Sequence, residues 1–221
     1  VSGTVTAIKD YPQVGGGDEQ TIIIQNDFND TEIELITQDF HTYTVQDLQR
    51  LIKDAGLVGE GGAEFPVGMK YNLKGKKVKT FIINGAECEP YNTSDYSIIA
   101  QRTAELFTGI DIANRILDAD EIIIGIEEDN KELQRIFAPY LKREGLPPIQ
   151  VKILPNEYPQ GGELQLIRSV TGLEMPNNSI PLEEGIIMNN IGTIFSIYEA
   201  VVLHKPCVER VMSVSGEKSK E

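Results

Sequence analysis

Apolar positions recur along this chain with two periods, and the change from one to the other marks the first boundary. Over residues 1–40 they alternate, as in Val1-Ser2-Gly3-Thr4-Val5-Thr6-Ala7-Ile8 and Thr21-Ile22-Ile23-Ile24, with Gly15-Gly16-Gly17-Asp18 as a turn. A small all-β unit is expected there. From Thr44 the spacing becomes helical: Val45, Leu48, Leu51, Ile52 and Ala55 share one face, Thr44 with Asp47 resembles an N-cap, and Gly56 ends the helix. A domain boundary near residue 42 follows, with residues 1–42 as a partial, barrel-like β unit.

Beyond it, short apolar runs at 80–84, 121–126, 151–154 and 185–189 alternate with helical patterns at 98–117, 133–141, 162–171 and 193–203. Such alternation predicts an α/β domain over 43–206, with a mostly parallel sheet covered by helices on both faces. Val208 to Ser215 reads as the first strand of another domain, so 207–221 is expected to be the start of a truncated one. The strand pattern is already under way at Val1, and the chain reads as an excised fragment. No internal repeat or low-complexity segment interrupts it.

A chain of 221 residues with 40% apolar content is sized for one or two domains and folds without staples. Its 34 acidic and 20 basic residues leave a net charge of -14, which repels nucleic acid and anionic lipid alike. No apolar run reaches the roughly 20 residues that span a bilayer, and no signal-peptide pattern opens the chain. A cytoplasmic protein is expected, one that reaches a membrane only through other subunits. Cys88 and Cys207 each lack a second cysteine at metal or redox spacing, so an iron–sulfur cluster held by this chain is excluded and no metal site is expected.

Four segments carry the candidate chemistry. The densest is Gly56-Leu57-Val58-Gly59-Glu60-Gly61-Gly62-Ala63-Glu64-Phe65-Pro66, where residues without a Cβ let backbone N–H groups approach a ligand as in phosphate-cradling loops. It is neither a Walker A motif nor a Rossmann fingerprint, and taken alone such a loop is more often a structural turn. Lys70 offers a cation for a phosphate, or is a solvated lysine. The second segment, Asn84-Gly85-Ala86-Glu87-Cys88-Glu89-Pro90-Tyr91, follows a predicted strand, where ligands of open α/β sheets bind. Asn84 can donate to and accept from a ring edge, and Glu87 or Glu89 can accept from a sugar hydroxyl; the alternative is a capped strand-to-helix turn. Tyr158-Pro159-Gln160-Gly161-Gly162-Glu163 precedes a helix whose N-terminus can face an anion, and Asn189-Asn190-Ile191-Gly192-Thr193 ends a strand with paired amides. Such loops at successive strand ends argue for one shared pocket. His41 and His204 lie at a boundary and a helix end and read as structural, so no hydrolase triad is present.

At these residues the chain resembles the C subunit of Rnf ion-translocating ferredoxin:NAD oxidoreductases, itself similar to the flavoprotein subunit of respiratory complex I. Residues 59–66, 84–90, 158–163 and 189–193 match that family's cofactor loops in order and spacing, and the match covers essentially the whole chain. The resemblance implies a complex I flavoprotein-like fold whose residues from Val208 onward enter a β-grasp domain. It implies FMN held by Gly59, Gly61, Gly62, Lys70, Asn84, Glu87, Asn189, Asn190 and Thr193. It also implies NAD(H) stacked on the flavin near Phe65, Glu89, Tyr158, Gly161, Gly162 and Glu163, with hydride transfer between the cofactors and no catalytic acid or base. Partners would be other subunits of a membrane-bound complex and ferredoxin-like carriers, with iron–sulfur clusters only in a C-terminal part absent here. Two other readings are a related electron-transfer protein serving another enzyme, such as a D-proline reductase, and a noncatalytic scaffold without cofactors. Against the complex I pattern, Glu60 replaces an arginine, Ala86 an aspartate and Gly162 a glutamate, while Glu64 interrupts Gly-Gly-Ala-Gly-Phe. The loop carboxylates would repel a bound phosphate unless turned outward or neutralised.

Overall fold

The computed structural model describes residues 1–176 and 179–216. The chain divides into two compact units, Val1–Leu35 and the residues from Ile36 onward. In the first unit, β1 (Gly3–Pro12) and β2 (Asp18–Asn26) form an antiparallel hairpin whose register shifts between Val5 and Ala7. Its turn contains Gly16 and Gly17 at φ 87 and 86, a region open to glycine at no steric cost.

The division falls after Leu35 and not near residue 42. Phe40 explains the difference, because its ring is buried in the core of the second unit. The backbone N–H of Gln38 also donates to the carbonyl of Val202 at 2.8 Å.

In that unit β3 (Thr80–Gly85), β4 (Glu121–Glu127), β5 (Ile149–Leu154) and β6 (Ile186–Asn190) make a parallel sheet in the order β5-β4-β3-β6. Successive side chains of a strand point to opposite faces, and both faces are covered. Phe81 and Ile83 of β3 pack into a core with α1 (Val45–Asp54), α4 (Thr103–Leu117) and α7 (Ile191–Val202), whereas Ile82 packs with Leu166, Ile167 and Val170 of α6 (Glu163–Thr171). Two-sided burial is why the central strands β3 and β4 read as continuous isoleucine runs, whereas the edge strand β5 alternates. The capping box at the start of α1 is present, with Thr44 and Asp47 bonding each other's backbone. At the crossing of α4 and α7 a Cβ on Gly109 would lie 2.2 Å from the carbonyl oxygen of Ile194, so only glycine allows the helices to pack this closely.

Two expectations are corrected. The helical pattern at 98–117 is two helices, α3 (Ser94–Gln101) and α4, separated by Arg102 at φ -131 and ψ 35. The Arg102 guanidinium donates to Glu105 at 2.8 Å and lies 4.9 Å from the centre of the Phe195 ring. The segment from Val208 to Ser215 is irregular and forms no strand. Its polar groups bond to loops instead: Thr93 N–H donates to Ser213 Oγ at 2.7 Å, and Arg210 Nη2 donates to the carbonyl of Glu60 at 2.9 Å. Residues 217–221 of the expected β-grasp entry lie outside the described residues. Among the described residues no helix is long and apolar enough to cross a membrane.

Candidate functional site

The chain order of the sheet fixes where a site can form. From β3 the chain proceeds to β4 and β5 on one side, and β6 then returns to the other side of β3. Loops leaving β3 and β6 therefore diverge and open a crevice at the carboxyl ends of the strands, the place where open α/β sheets bind ligands. Parallel register sets Ile83 beside Asn189 and Asn84 beside Asn190, so the two polar strand ends meet at this point.

The glycine-rich loop between α1 and α2 (Val67–Lys70) closes on itself. Gly59 N–H donates to the carbonyl of Phe65 at 2.9 Å and Val67 N–H to that of Leu57 at 3.0 Å. Gly62 lies at φ 99 with nothing within 4 Å of where a Cβ would stand, and Glu64 occupies the left-handed region at φ 50. Glu64 is exposed and its side chain leaves the loop. Glu60 does the opposite. Its N–H donates to Thr193 Oγ1 at 2.9 Å, its carboxylate accepts from Ser196 Oγ, and Arg210 Nε lies 3.8 Å from its second oxygen. The Glu60 carboxylate is thus drawn onto the first turn of α7, where helix N–H dipoles favour negative charge. Of the two loop acids, one is turned outward and the other is neutralised.

Asn84 is committed to the protein. Its Nδ2 donates to the carbonyl of Gly161 at 2.9 Å and its Oδ1 accepts from Ala86 N–H at 3.1 Å, so the side chain stitches the loop after β3 to the loop before α6. Glu87 caps α3 from outside, accepting from the N–H groups of Asp95 at 3.0 Å and Tyr96 at 3.1 Å. The capped-turn alternative for this segment is therefore built as well. Asp95 is 9% exposed and accepts from Asn190 Nδ2 at 2.6 Å. Burial, then the nearby Glu87 carboxylate, pushes the Asp95 carboxyl up to about 7.

Gly161 must be glycine, since a Cβ there would stand 2.4 Å from the Ala86 carbonyl oxygen. Gly162 precedes α6 as its N-cap, and the Tyr158–Pro159 peptide is cis. Exposed Tyr158 donates its hydroxyl to Glu89 at 3.3 Å.

These loops divide the expected site between two cavities. The first, of ≈ 660 Å³, brings together Gly61, Gly62, Asn84, Glu87, Glu89, Gly161, Gly162 and Asn190. The second, of ≈ 700 Å³, takes Phe65, Lys70 and Glu163. Consecutive residues Gly62 and Ala63, and likewise Gly162 and Glu163, face different cavities, so the two glycine-bearing loops form the partition. Lys70 Nζ donates to the carbonyl of Met188 at 2.7 Å, and its burial lowers the ammonium pKa. Gly59, Asn189, Thr193 and the exposed Tyr158 line neither cavity; the first three bond within the fold, with Asn189 Oδ1 accepting from the buried Tyr71 hydroxyl at 3.2 Å. Sequence reasoning missed Asp95 and Arg210, both in the first cavity. Neither carries a local signal, because an aspartate in a first helical turn and an arginine in an irregular segment are ordinary features.

Comparison with known proteins bears on the family and the fold. Residues 52–199 match the family model described as the Nuo51 FMN-binding domain. The C subunit of the proton-translocating ferredoxin:NAD(+) oxidoreductase complex of Clostridium ljungdahlii is 40% identical over 223 residues, covering 100% of this chain and 48% of that protein. The C subunit of an ion-translocating oxidoreductase complex from Haemophilus influenzae (strain PittEE) is also 40% identical, over 100% of this chain and 34% of its own length. The chain thus spans about half or less of these relatives. Among solved structures, the NAD+-reducing [NiFe]-hydrogenase in the H2-reduced state aligns with a TM-score of 0.64 at 22% identity, over 73% of this chain and 31% of that one, which establishes the shared fold. With the family model spanning most of the second unit, the chain belongs to the Nuo51 FMN-binding domain family.

Proposed function

We propose that this chain binds FMN and NAD(H) as the NADH-side module of an ion-translocating ferredoxin:NAD oxidoreductase complex, with hydride transfer between the two cofactors. The observation that carries the reading is the meeting of four glycine- or amide-bearing loops at the switch point of the sheet, around a cavity of ≈ 660 Å³. A cavity of that size suits a cofactor. The identities of the two ligands come from the FMN-binding family and from the ferredoxin:NAD(+) chemistry for which the Clostridium ljungdahlii relative is named.

The residues fit the uncharged part of FMN better than its phosphate. Gly62 leaves backbone open to a flat ring, whereas Gly61 packs against Asn190, whose amide is held by Asp95 and Gly192 at the edge of the cavity. Among the described residues, the first cavity carries Glu60, Glu87, Glu89 and Asp95 against the cation Arg210, whereas Lys70 lies in the second. Lys70 would hold the phosphate at the partition, and Phe65 with Glu163 would hold the nicotinamide nucleotide in the second cavity. FMN, when bound, supplies the hydride-accepting chemistry. The chain's own part is to hold the partners apart from water, orient them across the glycine partition and offset their charge. The module would be cytoplasmic and would reach the membrane through partner subunits and ferredoxin-like carriers, and onward transfer would use clusters outside this chain.

Titration of FMN with the protein tests the reading. Quenching of flavin fluorescence, followed by anaerobic bleaching of the flavin band on addition of NADH, is expected. Absence of quenching at high micromolar concentrations would establish the noncatalytic scaffold in its place.

A further inference from the structure

One buried titratable group takes no part in the function proposed above. Asp95 opens α3 and lines the first cavity, yet its carboxyl turns toward β6 rather than capping its own helix, since Glu87 already does so. Its partner Asn190 is held at both ends: Nδ2 donates to Asp95 Oδ2 at 2.6 Å and Oδ1 accepts from Gly192 N–H at 2.8 Å. Asn190 in turn faces Gly61, where a Cβ would come within 3.3 Å of the Asn190 Cβ. Asp95 therefore stands behind the amide that forms one wall of the cavity.

We propose that Asp95 is a positioning residue whose proton occupancy fixes the presentation of Asn190 and makes binding of an anionic flavin nucleotide in this cavity pH-dependent. The ligand in this inference rests on the proposed function, whereas the coupling of Asp95 to Asn190 does not.

The groups around Asp95 determine the sign. Glu87 approaches from the loop after β3 and Glu60 from the glycine-rich loop, and both raise the energy of a further negative charge. Asn190 and the Gly192 N–H, from the end of β6 and the start of α7, stabilise that charge. Arg210, from the C-terminal segment, is engaged with Glu60. Burial adds the largest effect, and the carboxyl loses its proton only near pH 7. Below that pH the acid is uncharged and the cavity wall carries one negative charge fewer. Above it the new charge repels a phosphate-bearing ligand, while its bond to the Asn190 amide strengthens.

Two measurements on the parent and Asp95→Asn decide the matter. In the ligand-free parent, the side-chain amide resonances of Asn190 should shift with a midpoint near pH 7, and in Asp95→Asn they should not titrate there. FMN affinity, normalised to Asp95→Asn to remove the titration of the phosphate itself, should fall roughly tenfold in the parent as pH rises from about 6 to 8.5, the scale of one partly screened charge. Riboflavin, which lacks the phosphate, should show a smaller fall. An Asn190 resonance that does not titrate, or identical FMN profiles in the two proteins, would overturn the inference. If neither protein binds FMN at any pH the proposed function fails, and the ligand-free titration still decides whether Asp95 governs Asn190.

Discussion

The two cavities share a partition and differ in almost everything else. On one side are Glu60, Glu87, Glu89 and Asp95 with Arg210, among glycines and amides; on the other, Lys70, Lys74 and Lys76 stand with Glu163 and Glu183 among Phe65, Met69, Leu73, Ile180 and Leu182. Acids outnumber cations in the first cavity and cations outnumber acids in the second, although the chain as a whole carries a net charge of -14. A polar slot with few cations suits a flat, hydrogen-bonding ring. An apolar groove with lysines at its edge suits a larger ligand that carries phosphates. On the proposed reading, phosphate would be met by Lys70 at the partition and not by the glycine-rich loop itself.

Substitutions can break that division or sharpen it. The largest effect is expected from Gly161→Val, which forces side-chain carbon onto the Ala86 carbonyl and separates the loop before α6, one side of the partition, from the loop after β3. A loss of about 3 kcal/mol or more in stability should appear in thermal unfolding, together with loss of flavin quenching. If NADH binding survives in the folded fraction, the cavities work independently. Lys70→Met should weaken phosphate-bearing ligands by about 1.5–3 kcal/mol and leave riboflavin nearly unchanged. Calorimetric titrations with FMN, riboflavin and NADH would show which ligand the ammonium serves. A loss confined to NADH would assign Lys70 wholly to the second cavity.

Asn84→Ala follows in size. Both ends of the amide are occupied by Gly161 and Ala86, so the variant should lose about 1–3 kcal/mol of stability even without ligand, as expected when buried partners are left unpaired. A variant with parental unfolding but weaker FMN binding would instead show that the amide turns to the flavin. Glu64→Gly should have the smallest effect. It removes an unfavourable φ of 50 but adds freedom to the unfolded chain, so the two contributions nearly cancel to within about 1 kcal/mol. Because Glu64 lines neither cavity, NADH affinity should not move. Tighter binding in parallel titrations would put its charge at the site after all.

Local rules foretold what local rules control. The capping box of Thr44 and Asp47, the isoleucine-rich strands and the glycines that need positive φ could all be read within a few residues of themselves. What escaped depends on partners beyond the reach of a few residues. The early start of α3 goes with Glu87, which caps N–H groups eight and nine residues further on, and Arg102, at the break, lies over the Phe195 ring. The division of the site also escaped, since the motifs show four loops in order but nothing in their spacing says that Gly62 and Ala63 face opposite ways. Glu60 is the plainest case: in sequence it is a carboxylate intruding on a phosphate loop, and only Ser196, Thr193 and Arg210 make it a fastening.

That fastening bears on synthesis. A nascent chain emerges from its N-terminus, and the glycine-rich loop leaves the ribosome long before its anchors at Thr193, Ser196 and Arg210, which lie 133, 136 and 150 residues further on. Closures over such distances form late, after the strands and helices between them. During translation the glycine-rich loop, closed on itself by the bonds from Gly59 to Phe65 and from Val67 to Leu57, stands without its opposing wall until α7 and the segment around Arg210 have followed it out.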